Sequence, residues 1–202
     1  MAQRDHSLDA KIIEAATAEF LAHGFRDASL RQIARRAGIS TGALYTRYEN
    51  KDVLFCSLVA PAMQAMKEEL QPIANAYMLA RDSGRPEAIM AAIKQEEAVY
   101  LQLMFRYYEQ CVLFFCCSDG SSIQQKIAAM METKAQETMA FLKAIAKKDM
   151  DLDGIEMILL EQFQYYRLVL EKGYPKDKAI SCMKTVESFM EAGWKDLFEK
   201  IM

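Results

Sequence analysis

Gly38 constrains this chain more than any other position, because it separates two short helical runs that leave room only for a tight turn. The first run spans about Leu30 to Ala37, with Leu30, Ile33, Ala34 and Ala37 recurring at helical spacing and Ser29 placed to cap it. Gly38 supplies the positive φ that ends a helix sharply. Ile39 plugs the turn, and Ser40 caps a second helix from about Thr41 to Arg47. In that helix only Leu44 and Tyr48 point at a core, while Thr41, Gly42, Ala43, Tyr45, Thr46 and Arg47 face outward. Two such helices around a three-residue turn form a helix-turn-helix, whose second helix enters the DNA major groove. A solvated helical corner has the same local pattern, and charge separates the two readings. Six cations (Arg26, Arg31, Arg35, Arg36, Arg47, Lys51) stand against Asp27 and Glu49 over residues 26–51, in a chain of net charge −3. The positive charge is concentrated where a phosphate backbone would lie.

The match is longer than the bare motif. It includes Lys-Ile-Ile-Glu-Ala-Ala-Thr-Ala-Glu-Phe-Leu-Ala-His-Gly-Phe from Lys11, then Ser-Leu-Arg-Gln-Ile-Ala-Arg-Arg-Ala-Gly-Ile-Ser-Thr-Gly-Ala-Leu-Tyr from Ser29, then Lys-Asp-Val-Leu from Lys51. Residues 11–54 closely resemble the N-terminal domain of TetR-family (tetracycline-repressor-like) transcriptional regulators. The resemblance covers about the first quarter of the chain. It implies roles for DNA position by position. Arg31 matches a position that reads a base, where an arginine suits guanine. Thr41, Gly42, Ala43 and Arg47 lie on the outward face near base edges. Tyr45 matches the aromatic of the family's Leu-Tyr motif, which meets the DNA backbone, and Ser29 and Lys51 match phosphate-binding positions. Ala43 stands where the family more often has Thr or Ser, so contact with a thymine methyl replaces a hydrogen bond. Arg35 and Arg36 read as general electrostatics.

Composition sets the fold class. The 202 residues include only 8 Gly and 4 Pro, and 52% are hydrophobic, so an all-α chain with a large core is expected. Residues 1–50 are expected to form a three-helix DNA-binding domain, and residues 51–202 a helical ligand-binding and dimerisation domain, about nine helices in all. No signal-peptide pattern is visible, no apolar run approaches the ~18–20 residues of a membrane span, and five cysteines without CxxC spacing suit a reducing cytoplasm. No catalytic set, phosphate-binding glycine loop or metal-ligand spacing is present. The expectation is a cytoplasmic protein with no enzyme activity, metal, cofactor or membrane partner.

The first helix should run from about Ser7 or Leu8 to His23, with Leu8, Ile12, Ala15, Ala16 and Phe20 as its core stripe and Gly24 as its stop, and with Arg4 and Lys11 near phosphates. Asn50 is expected to cap a fourth helix beginning at Lys51, kinked at Pro61 and bent or broken at Pro72. Arg81-Asp-Ser-Gly-Arg-Pro86 reads as a loop, and Glu87 to Cys117 as helix in one or two pieces. Its Arg106, Glu109 and Gln110 share a stripe, either a surface pair or a polar anchor in an aromatic pocket. Asp119-Gly-Ser-Ser122 reads as turn and cap. A long helix to about Lys147 follows, with Ile127, Met130, Met131, Phe141, Leu142 and Ile145 inward.

The last two helices, about Asp151–Gly173 and Asp177 to the end, have two apolar faces each. Ile155, Leu159, Phe163, Tyr166 and Leu170 form one stripe of the eighth, while Leu160, Gln164 and Leu168 form another. In the ninth, Met183, Val186, Met190 and Leu197 pair with Ile180, Phe189 and Trp194. Either the monomer core is large, or the outer faces meet a second copy in a four-helix homodimer interface; the family resemblance implies the latter. Fourteen Met, ten Phe, nine Tyr and one Trp permit an adaptable cavity for an apolar or aromatic inducer. Its expected lining is Met66, Tyr77, Met104, Arg106, Tyr107, Glu109, Phe114, Thr138, Gln162 and Tyr166. Adjacent Cys116 and Cys117, with Cys111, leave redox control or a protein partner as an alternative. The whole reads as a ligand-responsive regulator, expected to repress, that binds a pseudo-palindromic double-stranded operator as a homodimer.

Overall fold

The computed structural model describes residues 6–147 and 151–201. Its elements there are helices: α1 (His6–Asp27), α2 (Leu30–Ala37), α3 (Thr41–Arg47), α4 (Lys51–Asp82), α5 (Pro86–Arg106), α6 (Tyr108–Cys116), α7 (Ser122–Ile145), α8 (Asp153–Glu161), α9 (Gln164–Glu171) and α10 (Lys176–Ile201). Between α8 and α9, Gln162 and Phe163 keep right-handed helical angles. The two segments are therefore one irregular helix, which brings the number to the nine expected.

Local chemistry accounts for the early boundaries. Gly24, at φ 68° and ψ 174°, breaks α1 where a stop is expected, and helical turns resume to Asp27. Gly38 takes φ 71° and donates its N–H back into α2. Ser40 Oγ accepts from the Ala43 N–H at 3.1 Å, and Asn50 Oδ1 accepts from the Val53 N–H at 2.9 Å, so α3 and α4 are capped from within. Ser29 does not cap α2 with its hydroxyl. The buried carboxylate of Glu19 accepts the Ser29 backbone N–H at 3.2 Å, a charge-assisted bond at the entry to α2.

Other expectations are corrected. α4 runs unbroken through Pro61 and Pro72. A proline costs its own N–H and one contact a turn earlier, which a 32-residue helix absorbs when its neighbours stay bonded. The chain from Glu87 to Cys117 does break, at Tyr107, whose φ of −117° and ψ of 46° are not helical. Met130, expected inward, is exposed; Leu142 is buried as expected, and Ala135 and Met139 are buried on α7 as well. Arg4 lies outside the described residues.

The chain divides into two compact units: the described residues of Met1–Gln64 with Tyr107–Lys126, and those of Ala65–Arg106 with Ile127–Met202. The boundary expected after residue 50 falls inside the first unit. That unit packs α1 against α2 and α6, and α3 against α2, around Ile12, Phe20, Ile33, Leu44, Leu54 and Phe55, all essentially buried. Phe20, Phe25 and Phe55 form an aromatic triad with centroids 5.0–6.2 Å apart, each edge-to-face pair contributing about 0.5–1.5 kcal/mol beyond its burial. The Phe25 N–H donates to the Cys117 carbonyl at 2.8 Å, which fastens the end of α1 to the end of α6.

The second unit closes on Met139, Leu142, Leu152, Trp194, Leu197, Phe198 and Ile201. Trp194, placed with the outer stripe by its spacing, is buried here. Of the other apolar outer positions, Leu160, Leu168 and Phe189 are exposed, Phe189 at 79%, while Ile180 is half-buried.

Candidate DNA-binding surface and ligand cavity

On the first unit, α2 and α3 present a basic face. Arg31, Arg35 and Arg36 are exposed on α2, as are Gly42, Tyr45 and Thr46 on α3, with Tyr45 at 50%. Thr41 and Ala43 are half-buried. Small residues at the start of α3 allow close approach of its N-terminal turn, and the Thr46 hydroxyl donates back to the Gly42 carbonyl at 3.0 Å.

Two expected contact residues are engaged inside the protein. Arg47 is not a free outward cation: its Nε donates to Asp9 Oδ1 at 3.1 Å, and both side chains are largely covered. The pair ties α3 to α1. Lys51 Nζ donates to the carbonyls of Arg26 (2.8 Å) and Ala28 (3.3 Å) and lies 4.8 Å from the Phe25 ring centroid. It thus closes the α1–α2 connection while keeping its charge beside the N-terminus of α4.

Glu19 is the residue that sequence reasoning missed here. At 2% exposure it holds the Ser29 N–H and lies 3.7 Å from Arg36 Nη1. Its signal was present, since Ile12, Ala16, Glu19 and Phe20 share one helical face and a carboxylate among buried neighbours needs donors. The Ser29 hydroxyl itself makes no cap bond at the start of α2.

The expected ligand residues do not come together. Arg106 ends α5 and pairs with Glu69, while Glu109 is exposed on α6, so the helix break at Tyr107 dissolves the supposed Arg106–Glu109–Gln110 stripe. Met104 and Phe114 are buried in different units. Met66 and Tyr107 are half-buried. Burial raises the Tyr77 hydroxyl's pKa, moderated by its bond with Thr138; Thr138 also donates to the Lys134 carbonyl at 3.0 Å.

A cavity of about 60 Å³ lies in the second unit between α5, α7, α9 and α10 and the turn after α8, and of the ten residues only Gln162 and Tyr166 line it. Its ring faces are Tyr100, Phe163, Tyr165, Tyr166 and Trp194. Tyr100 stands 5.8 Å from Phe163 and 5.4 Å from Tyr166, centroid to centroid. Burial first, then nearby glutamates, raises the hydroxyls of Tyr100 and Tyr166, so both stay neutral donors. The cavity also holds Glu96, Glu97, Glu187 and Glu191 against Lys94 and Lys134.

Comparison with known proteins agrees with this geometry. Residues 12–58 match the family described as Bacterial regulatory proteins, tetR family. Over 62 residues, 31% of this chain, the sequence is 36% identical to the HTH-type transcriptional regulator SrpR of Pseudomonas putida. It is 36% identical over 62 residues to the HTH-type transcriptional regulator TtgW of the same species. The match spans 29% of SrpR and 46% of TtgW, less than half of either. In fold, the chain is similar to a TetR-like transcriptional regulator from Rhodococcus sp. RHA1, with a TM-score of 0.58 at 18% identity, covering 95% of this chain and 99% of that one. A second similar fold is FadR from Bacillus subtilis in complex with stearoyl-CoA, with a TM-score of 0.50 at 16% identity, covering 89% of this chain and 98% of that one.

Proposed function

We propose that this chain, which carries the N-terminal domain of the tetR family of bacterial regulatory proteins over residues 12–58, is a ligand-responsive repressor acting in the cytoplasm. The observation that carries the reading is the α2–turn–α3 unit, capped by Ser40 and turned by Gly38, whose exposed face bears Arg31 and Tyr45 in a positively charged surround. α3 enters the major groove, Arg31 and the small residues Thr41, Gly42 and Ala43 meet base edges, and Ser29, Tyr45 and Lys51 meet the backbone. Arg47 acts through Asp9 as the strut that sets the angle of α3.

A homodimer supplies the second head. Leu160, Leu168 and Phe189 are exposed on the last helices together with Met157 and Ile158, apolar side chains that a partner surface would cover. Burying that face against its symmetric copy gives two heads on a pseudo-palindromic operator. The ligand, a small molecule with an apolar or aromatic body, enters the aromatic cavity of the second unit. α4 runs continuously from the first unit into the second, and a shift along it changes the separation of the heads. The ligand must favour the non-binding state, since equal affinity for both states shifts nothing.

Redox control is the weaker reading. Burial, with a smaller push from Cys116, raises Cys111 to about 12, and burial also raises Cys117, so both persist as unreactive thiols. The test is a footprint on DNA upstream of the gene, repeated across salt concentrations. A protected, inverted-repeat site whose affinity falls steeply with salt is expected. Failure to find any sequence-specific complex would sink the reading. Native mass spectrometry of the purified protein identifies any co-purifying ligand.

A further inference from the structure

Two facing helices of the second unit each place one carboxylate in an otherwise apolar stripe. On α5, Glu97 shares a face with Met90, Ile93 and Tyr100; on α10, Glu187 shares one with Met183, Met190 and Trp194. α5 packs on α10, and both carboxylates line the aromatic cavity. The cavity's two lysines pair with its other two glutamates. Lys94 pairs with Glu191 at 2.9 Å and Lys134 pairs with Glu96. Among the described residues, neither Glu97 nor Glu187 has an ion pair or a hydrogen bond. The consequence is visible at Glu97: burial raises its carboxyl, the charges of Glu187 and Glu96 raise it further, and Lys94 and Lys134 offset only part, leaving it at about 7.

Like charges held together beside ring faces cost free energy that a cation removes. An anionic ligand would add a further negative charge to the same cavity. A neutral one would leave the repulsion in place. Two carboxylates among aromatic rings offer too few oxygen donors for a hard metal ion. An ammonium carried on apolar carbon meets both demands, with its charge between the carboxylates and its alkyl groups against the ring faces.

We propose that this cavity binds an organic cation, an ammonium-type head on an apolar or aromatic body, with Glu97 and Glu187 as counter-charges and Tyr100, Phe163, Tyr166 and Trp194 as its walls. The inference rests on reading the second unit as the ligand-binding part of a regulator. A cavity of about 60 Å³ is well below the roughly 300–1,000 Å³ of drug-sized sites, so the head group enters first and the body widens the pocket.

The chain has a single tryptophan, Trp194, and it lines the cavity, so its fluorescence reports occupancy directly. The experiment titrates three probes of one shape class into the full chain: benzyltrimethylammonium, its neutral isostere neopentylbenzene, and the anion phenylmethanesulfonate. The cation is expected to perturb Trp194 and to bind at least about tenfold more tightly than either other probe. Glu97→Gln and Glu187→Gln, on separate helices, are each expected to weaken the cation about tenfold or more and to leave neopentylbenzene unchanged, with the far-UV spectrum preserved. Equal or tighter binding of the neutral or anionic probe overturns the proposal, as does cation binding insensitive to both substitutions or no response to any probe. The two levels of inference fail separately. Operator release by the neutral or anionic probe alone discards the cation and keeps the regulator; cation binding without any sequence-specific DNA complex does the reverse.

Discussion

The Asp52 carboxylate accepts both the backbone N–H of Ser122, at 2.8 Å, and its hydroxyl, at 2.6 Å. Asp52 lies in the first turn of α4 and Ser122 opens α7, so one side chain ties the starts of two helices and supplies an acceptor to α7's unsatisfied amides. Cys56 joins them, with Sγ 3.4 Å from Ser122 Oγ. All three residues lie in the first unit.

Asp52→Asn should therefore lower stability by about 1–3 kcal/mol, the cost of a lost charge-assisted bond. Partial burial raises the Asp52 carboxyl, but the Ser122 bonds, helped by Cys56 and Lys126, outweigh it and hold the group below its usual value. A depressed carboxylate stabilises the fold above its unfolded pKa, and that contribution is lost as pH falls through the folded one. Melting curves of the wild type should fall towards those of the variant on acidification. A gap that persists unchanged in strong acid would contradict the assignment.

The reading head separates contact residues from supports. Arg31→Ala should cost about 1–3 kcal/mol of operator binding and relax preference at one base pair. Because Arg31 is exposed, its melting temperature should not move. Glu19→Ala should behave oppositely, lowering the stability of the head by about 1–3 kcal/mol through the orphaned Ser29 amide. Calorimetry beside gel-shift titration distinguishes the two, and equal melting losses would refute the distinction.

Lys51→Gln tests whether that ammonium reaches phosphate as well as the carbonyls of Arg26 and Ala28. A phosphate contact predicts weaker binding to all sequences and a salt slope reduced by about 1. An unchanged slope would confine Lys51 to bracing the α1–α2 connection.

The exposed apolar face of the last helices should be covered by a second copy. Leu168→Glu with Phe189→Glu places like charges across that seam. Light scattering should show a monomer, with operator affinity reduced at least about a hundredfold because the heads no longer bind together. A dimer that survives both substitutions would place the interface elsewhere.

Acidity should govern the cavity. Glu97, raised from 4.5 to about 7, is neutral in mild acid and charged above. Around it stand Glu96, Glu187, Glu191, Lys94, Lys134, Tyr100, Tyr165 and Tyr166. Affinity for benzyltrimethylammonium should rise with pH through neutrality. For folding the sign is reversed: a carboxyl whose folded pKa is raised stabilises below its unfolded value, and loses that contribution as pH rises through about 7. Glu97→Gln should thus melt higher than wild type above neutrality and lose that advantage in mild acid. A pH-independent difference would dissociate Glu97 from the titration.

What the sequence determined by itself is the local part. Gly38 in the turn, Ser40 and Asn50 at their caps, and the bounds of α2 and α3 depend on bonds spanning three or four residues, and those residues are adjacent in the chain. The exposed second stripe at Leu160, Leu168 and Phe189 was legible for a similar reason, since helical periodicity alone assigns a face. Partners distant in sequence were decided by tertiary structure. Nothing near Arg47 points to Asp9, nothing near Ser122 to Asp52, and nothing in the run from Tyr100 to Cys117 shows that it breaks at Tyr107 and sends Arg106 to Glu69. The proposed cavity depends on such distant partners too. Glu97 and Glu187 each look like one acid on a mostly apolar helix, and only the packing of α5 on α10 brings them to a common cavity, where burial and the charge of Glu187 raise the Glu97 carboxyl.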